Sequence, residues 1–353
     1  MRHIRRLQKS FFKRLGAWLS KADLTSEVMR TSHLSEFQFS ISHTRFISSW
    51  GFMYACDYFA SYPHNENSYR IFFKKLESEL AFSHAQIRVI YLKPEYLHDF
   101  VMQILPVIKS KFSIVCGDSD YAIGDQYRDT LILLTNHPLF VRMYAQNLKL
   151  HHKKIECLPI GLDYHTFWLN PNLWGANILM PIHQEANLLA ILRKSPNLIE
   201  RRDLIYCNWH FQLHRGDRKQ CYENLPSALC KYEKVPITRV QTWGEQVNYT
   251  FVASPEGNGV DCHRTWEAIL LGCIPIIKRN SISSLYEKLP AIIVDEWSSI
   301  SNDFLEEQKL IMLKNKYDFS SLFISSWKGR FKEQEFHSLT SMTMQEFRSY
   351  LSA

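Results

Sequence analysis

No run of apolar residues in this 353-residue sequence is long enough to cross a membrane. The longest, Ala268 to Ile277, has half the required length and is broken by Gly272 and Pro275. The start of the chain also lacks the apolar stretch of a signal peptide. The eight cysteines (56, 116, 157, 207, 221, 230, 262 and 273) form no C-x-x-C pair. That removes the common zinc and redox frameworks and leaves reduced core thiols of a cytosolic chain. Cys207, His210, His214 and Cys221 match zinc spacing only loosely. Glycine (12) and proline (13) are too few for a low-complexity linker, and no internal repeat is present. Residues 1–20 contain no acid, while Arg2, Arg5, Arg6, Lys9, Lys13 and Arg14 supply nearly all of the net charge of +7. The body is therefore close to neutral, and a nucleic-acid partner is not expected.

With 46% hydrophobic and 22% charged residues the chain is globular, and its length suits two domains. Residues 1–20 form a first segment. Ile4, Leu7, Phe11, Phe12, Leu15, Trp18 and Leu19 recur at helical spacing among the basic residues, giving a basic amphipathic helix. Two readings stay open: a peripheral anchor on an anionic membrane surface, or a terminal helix docked on the body.

Residues 21–165 read as a first Rossmann-like unit. Its early part, to about 85, is irregular and aromatic-rich. Strands follow at Ile87–Leu92 and Lys111–Cys116, with a helix from Pro94 to about Ile108 between them. Further strands are expected at Leu131–Leu134 and Ile155–Leu158, separated by a helix over about 138–148. Residues 166–200, with Pro171, Gly175, Pro181 and Pro196, read as a connection. Residues 201–330 read as a second Rossmann-like unit, with strands at Asp203–Asn208, Phe251–Ala253, Cys273–Ile277 and Ala291–Asp295. Helices are expected over 217–231 and Ile282–Lys288, and 331–353 reads as a helical tail. Alternation of strands and helices predicts an α/β protein with two parallel sheets facing a cleft. Ligands of such sheets sit beyond the carboxyl ends of strands, so the loops after Cys116, Leu158 and Ala253 are the places to look for chemistry.

The richest stretch is Phe251 to Ile277. A strand runs into a glycine turn, then into a helix beginning near Asp261 and carrying Arg264 and Glu267, stopped by Gly272. Backbone amides and an Arg at a helix start suit phosphate, and a Glu one turn later suits sugar hydroxyls. Gly257-x-Gly259 is not a dinucleotide fingerprint, because Cys262 occupies the third glycine position, and no G-K-[ST] follows to make a P-loop. Arg264 and Glu267 share one face of a helix flanked by apolar strands, where buried charges usually have a ligand or partner.

Ser254-Pro-Glu-Gly-Asn-Gly-Val-Asp-Cys-His-Arg-Thr-Trp-Glu-Ala-Ile-Leu-Leu-Gly-Cys-Ile-Pro-Ile276, followed by Leu285–Pro290 and Val294–Trp297, resembles the signature of exostosin-type glycosyltransferases. The likeness is close over about 245–300 and only in outline over 85–245. It implies a GT-B architecture and transfer of a sugar from a nucleotide sugar, UDP favoured, with inversion. The acceptor is a glycan or other hydroxyl compound, lipid-linked ones included. The family's eukaryotic members carry a membrane anchor and lumenal stem, and a cytoplasmic setting, peripheral to the membrane if residues 1–20 anchor it, is expected here instead.

The donor site is then expected at Glu256, Gly257, Gly259, Asp261, Arg264 and Glu267, with Arg218 as a second cation. Arg264 would neutralise the departing diphosphate and Glu267 would hold the ribose. The nucleotide sugar is a co-substrate, and neither a cofactor nor a metal is expected. A general base should come from the facing loops, with Asp118, Asp120, Asp163 and His165 as candidates. Two alternatives remain: Asp118-Ser-Asp120 as the Asp-x-Asp of a metal-dependent GT-A-like transferase, or a non-catalytic module binding sugar nucleotides or glycans.

Overall fold

The computed structural model describes residues 33–169, 180–334 and 339–353. The basic segment 1–20, the middle of the predicted connection (170–179) and part of the predicted tail (335–338) lie outside the described residues. Among the described residues no helix is long and apolar enough to cross a membrane.

Two parallel sheets organise the chain. The first has four strands in the order β1-β2-β3-β4: Arg88–Leu92, Phe112–Cys116, Phe140–Ala145 and Ile155–Cys157. Alternate residues point to opposite faces, as the two-residue period of a strand requires. Val89, Tyr91, Val115 and Tyr144 face the larger apolar core, while Ile90, Leu92, Ile114 and Met143 face a second core closed by Tyr69, Phe73, Phe100 and Leu134.

The second sheet has five strands, all parallel: β5 (Arg202–Cys207), β6 (Cys230–Tyr232), β7 (Tyr249–Ala253), β8 (Ile274–Lys278) and β9 (Ile292–Val294). Their order is β6-β5-β7-β8-β9. The winding therefore reverses between β5 and β7. Loops leaving the carboxyl ends of those two strands diverge and open a crevice, the position where doubly wound sheets bind ligands.

Several predicted elements are corrected. Leu131–Leu134 is not a strand but part of a helix, Arg128–Asn136. Leu131 and Leu134 are buried one turn apart while Ile132 and Leu133 are about half exposed, a helical pattern hidden in a four-residue apolar run. The strand lies instead at Phe140–Ala145, within the stretch expected to be helical. Residues 33–85 are not irregular: helices span Leu34–Ser42, Ser49–Tyr54 and Glu66–Leu80, the last two with Ser48 and Asn65 as side-chain caps. The predicted helix over 217–231 ends at Asn224, and β6 follows it. A further helix, Arg239–Gln246, starts at a Thr238–Gln241 capping box.

The connection is not a loose linker over its described part. Helix Pro181–Lys194 buries Leu188, Leu189 and Leu192, and its Glu185 accepts the backbone N–H groups of Arg45 and Phe46 and the Tyr164 hydroxyl. Near the carboxyl end the chain returns to the first sheet. Ile47 N–H donates to Leu322 O, Ile324 N–H donates to Arg45 O, and the Tyr144 hydroxyl donates to Arg330 O.

Candidate active site

Loops from the carboxyl ends of both sheets line one pocket of about 430 Å³. The first sheet contributes Asp118, Ser119 and Asp120 after β2, and Ile160, Asp163, His165 and Thr166 after β4. The second contributes Asn208, Arg215 and Arg218 after β5, Arg239 and Thr242 after β6, and Gly257 to Gly259 and Asp261 to Glu267 after β7.

Asp118 sits where the chain leaves β2 in a left-handed conformation (φ 58°). Its N–H donates to Gln146 Oε1 at 2.9 Å, and Gln146 Nε2 donates to Pro159 O, so one buried amide ties the β2 and β4 loops together. Around the Asp118 carboxylate stand His165 Nε2 at 3.0 Å, Lys93 Nζ at 3.4 Å and His64 Nδ1 at 4.0 Å. Burial pushes the Asp118 pKa up, but His165, Lys93 and His64 outweigh it and hold the acid down to about 2. Asp120 is exposed and accepts from Asn258 Nδ2 at 3.0 Å, so the two carboxylates of Asp118-Ser-Asp120 serve different partners.

His165 stacks on Trp50, with ring centroids 5.2 Å apart and planes within 7°. Its Nδ1 lies 3.4 Å from Asp163 Oδ1 without hydrogen-bond alignment. Burial alone would lower the His165 pKa, but Asp118 and Asp163 together raise it. Asp163 also receives the Thr166 N–H at 3.1 Å and lies 3.7 Å from Arg239 and 3.9 Å from His263. Burial opposes its ionisation, but His263, His165 and Arg239 hold its pKa well below the usual carboxylate range.

Across the pocket, Arg239 Nε stands 2.9 Å from Glu267 Oε1, so Glu267 shares its charge with a group that also reaches Asp163. Arg218 is 9% exposed, and its Nε has no hydrogen-bond partner. Among the described residues no carboxylate pairs with its guanidinium. Burial first, then the neighbouring Arg264, lowers its pKa to about 10. Arg264 Nη1 donates to Pro255 O at 3.2 Å.

Not every predicted donor residue faces the pocket with a free group. The Glu256 carboxylate accepts from Asn280 Nδ2 outside the pocket lining, and its N–H donates to Asp217. Gly257 N–H donates to Gly259 O within the turn and is spent there. A side chain at Gly259 would come within 2.7 Å of Asn147 Oδ1, so this glycine serves close docking against the first sheet's loops. The Asp261 carboxylate accepts from the N–H groups of Ile160 and Cys262, Trp266 Nε1 and the Tyr286 hydroxyl. The helix proper is His263–Leu270, ended by Gly272 at φ 67°.

Arg215, Arg239 and His263 were not singled out from sequence. The Thr238-x-x-Gln241 box, which contains Arg239, is a local sign of a helix start, but nothing local marks the partners of these side chains.

The fold and pocket define an α/β protein of two parallel sheets with a polar, cation-rich site at their carboxyl ends. No protein-family model matches the chain. No curated protein matches it either. Among solved structures, UDP-GlcNAc 2-epimerase from Methanocaldococcus jannaschii is similar at 12% identity over 73% of this chain and 79% of that chain, with a TM-score of 0.35.

Proposed function

We propose that the pocket binds a nucleotide sugar, with its diphosphate between Arg218 and Arg264, and transfers the sugar to a hydroxyl acceptor. The reading is a glycosyltransferase of exostosin-like, GT-B type, with a UDP-sugar donor and inversion at the anomeric carbon. The acceptor is a glycan or a lipid-linked hydroxyl compound.

The observation that carries this reading is the Arg218–Arg264 pair. A buried guanidinium beside another, with no carboxylate partner among the described residues, is costly by several kcal/mol unless an anion completes it. The two arginines leave β5 and β7, the strands between which the winding reverses. A diphosphate offers paired oxygens suited to guanidinium forks. As the sugar departs, negative charge grows on that diphosphate, and fixed guanidiniums are worth most there. In this reading they supply the positive charge that a divalent cation supplies in metal-dependent transferases. Glu267 accepts from the ribose hydroxyls, and the acceptor lies against the wall of Asp118, Asp120, Asp163 and His165.

The test is calorimetric binding of UDP and GDP, with nucleoside diphosphate release from UDP-glucose, UDP-galactose, UDP-N-acetylglucosamine and GDP-mannose. Arg218→Ala and Arg264→Ala should each weaken diphosphate binding and lower turnover ~10²–10³-fold. Binding by both variants as tight as by wild type would remove the donor assignment.

A further inference from the structure

We propose that His263 is the group that takes the proton from the acceptor hydroxyl. This assignment rests on the transferase reading above and names a residue beyond the carboxylates and His165 of the first sheet's loops.

The argument begins with tautomer. His263 Nδ1 lies 2.7 Å from the backbone oxygen of Gly161. A carbonyl only accepts, so Nδ1 carries the hydrogen, and in the neutral ring Nε2 is a lone pair. His263 lines the pocket with its side chain 23% exposed, so Nε2 is reachable by a ligand. Asp163 Oδ2 stands 3.9 Å from that nitrogen, too far for a hydrogen bond but near enough to steady an imidazolium. A base with its far nitrogen oriented by a fixed acceptor and a carboxylate beside it is a recurrent catalytic arrangement.

The other candidates are already committed. His165 has Nε2 against Asp118 at 3.0 Å, and its Nδ1 is buried beside Asp163, so neither ring nitrogen is open to the pocket. Asp118 is ringed by three cations or imidazoles, and Asp163 by His165, Arg239 and His263. Asp120 spends an oxygen on Asn258 at the exposed edge. Position agrees with chemistry as well. His263 opens the helix that carries Arg264 and is bonded to the loop after β4. It therefore stands between the arginines and the acceptor wall.

In the transfer step, the acceptor oxygen forms a bond to the anomeric carbon. The bond from that carbon to the diphosphate oxygen breaks, and its electron pair leaves with the diphosphate against Arg218 and Arg264. The acceptor proton moves to His263 Nε2, and Asp163 and the Gly161 carbonyl hold the resulting cation. Other charged groups lining the pocket near the ring are His165, Arg239 and, on its own helix, Arg264 and Glu267.

The experiment compares wild type with His263→Asn, whose amide can still reach the Gly161 carbonyl, and His263→Ala. Nucleoside diphosphate release from the four sugar nucleotides gives kcat, and UDP calorimetry gives affinity. His263→Asn should lower kcat ~10²–10³-fold, keep UDP affinity within about threefold, and flatten the acid-side fall of the kcat–pH profile. Added imidazole should restore part of the His263→Ala rate. His263→Asn with kcat within about tenfold of wild type overturns the assignment, as does a His263→Ala rate that imidazole leaves unchanged. In either case wild-type turnover and UDP binding leave the transferase reading standing. No release by wild type from any sugar nucleotide overturns both.

Discussion

The Asp261 carboxylate, on the loop after β7, accepts the backbone N–H of Ile160, on the loop after β4, at 2.8 Å. One side chain from the second sheet thus holds the main chain of the first, at the floor of the pocket. The same carboxylate is bonded by Trp266, Tyr286 and the Cys262 N–H.

Asp261→Asn should therefore cost more than an isosteric change usually does. The amide places a donor among donors and leaves buried partners unsatisfied, for a loss of ~2–4 kcal/mol of unfolding free energy. Urea unfolding checks this, and a loss below about 0.5 kcal/mol would contradict the clamp.

His64 gives the fold a pH dependence of definite sign. Burial, opposed by Asp118, lowers its pKa from 6.5 to about 4. Between those values the unfolded chain binds a proton that the folded chain refuses, so stability falls as pH drops from 6.5 toward 4, by ~3 kcal/mol at most. His64→Gln should flatten that slope. Unfolding curves at pH 7 and 4.5 give the comparison, and equal slopes for the two proteins would contradict it. Asp118 acts lower, its contribution present above 3.8 and lost as pH falls toward 2.

Gly259→Ala should destabilise by ~1–3 kcal/mol through collision with the Asn147 amide, which cannot swing away while it donates to Ser119 O and accepts from Asp261 N–H. Asn147 has a left-handed backbone (φ 51°), so Asn147→Gly removes the amide without backbone strain. The double variant should lose less than the sum of the single losses. Strict additivity in a double-mutant cycle would show that the two residues do not meet.

If Glu267 holds the ribose, wild type should prefer UDP to 2′-deoxy-UDP, and Glu267→Gln should shrink that preference about tenfold or more. Calorimetry with both nucleotides decides. An unchanged ratio would assign Glu267 to Arg239 alone, its partner at 2.9 Å.

The second sheet was largely legible because β7, β8 and the last four residues of β5 are largely apolar runs, the pattern of strands buried on both faces. The short, half-exposed β6 escaped notice for the opposite reason. Leu131–Leu134 misled because a short apolar run carries no period of its own, and only burial of the first and last residues revealed the helix. At the site, Arg264 and Glu267 stand out as charges on a helix flanked by apolar strands, and Arg218 only as a cation at a helix start. Asp261, Gly257 and Gly259 were legible as special but not in role, since what occupies them is another part of the chain: Ile160, Asn147 and the turn itself. His263 could not be recognised for the same reason, because Gly161 is distant in sequence.

The return of the chain's end to its beginning bears on how the protein can be divided. Phe323 pairs with Phe46, and helix Ile324–Phe331 lies on helix Ser49–Tyr54, with Phe52 packed against Trp327 and Phe331. A fragment stopping at 322 would uncover Phe52 and Tyr144, and one beginning at 201 would carry Trp327 and Phe331 with no surface to seat them. Soluble halves would require a cut after 322 and a transplant of helix Ile324–Phe331 onto the first half. The two sheets therefore share one terminal helix, and neither is a self-contained cassette.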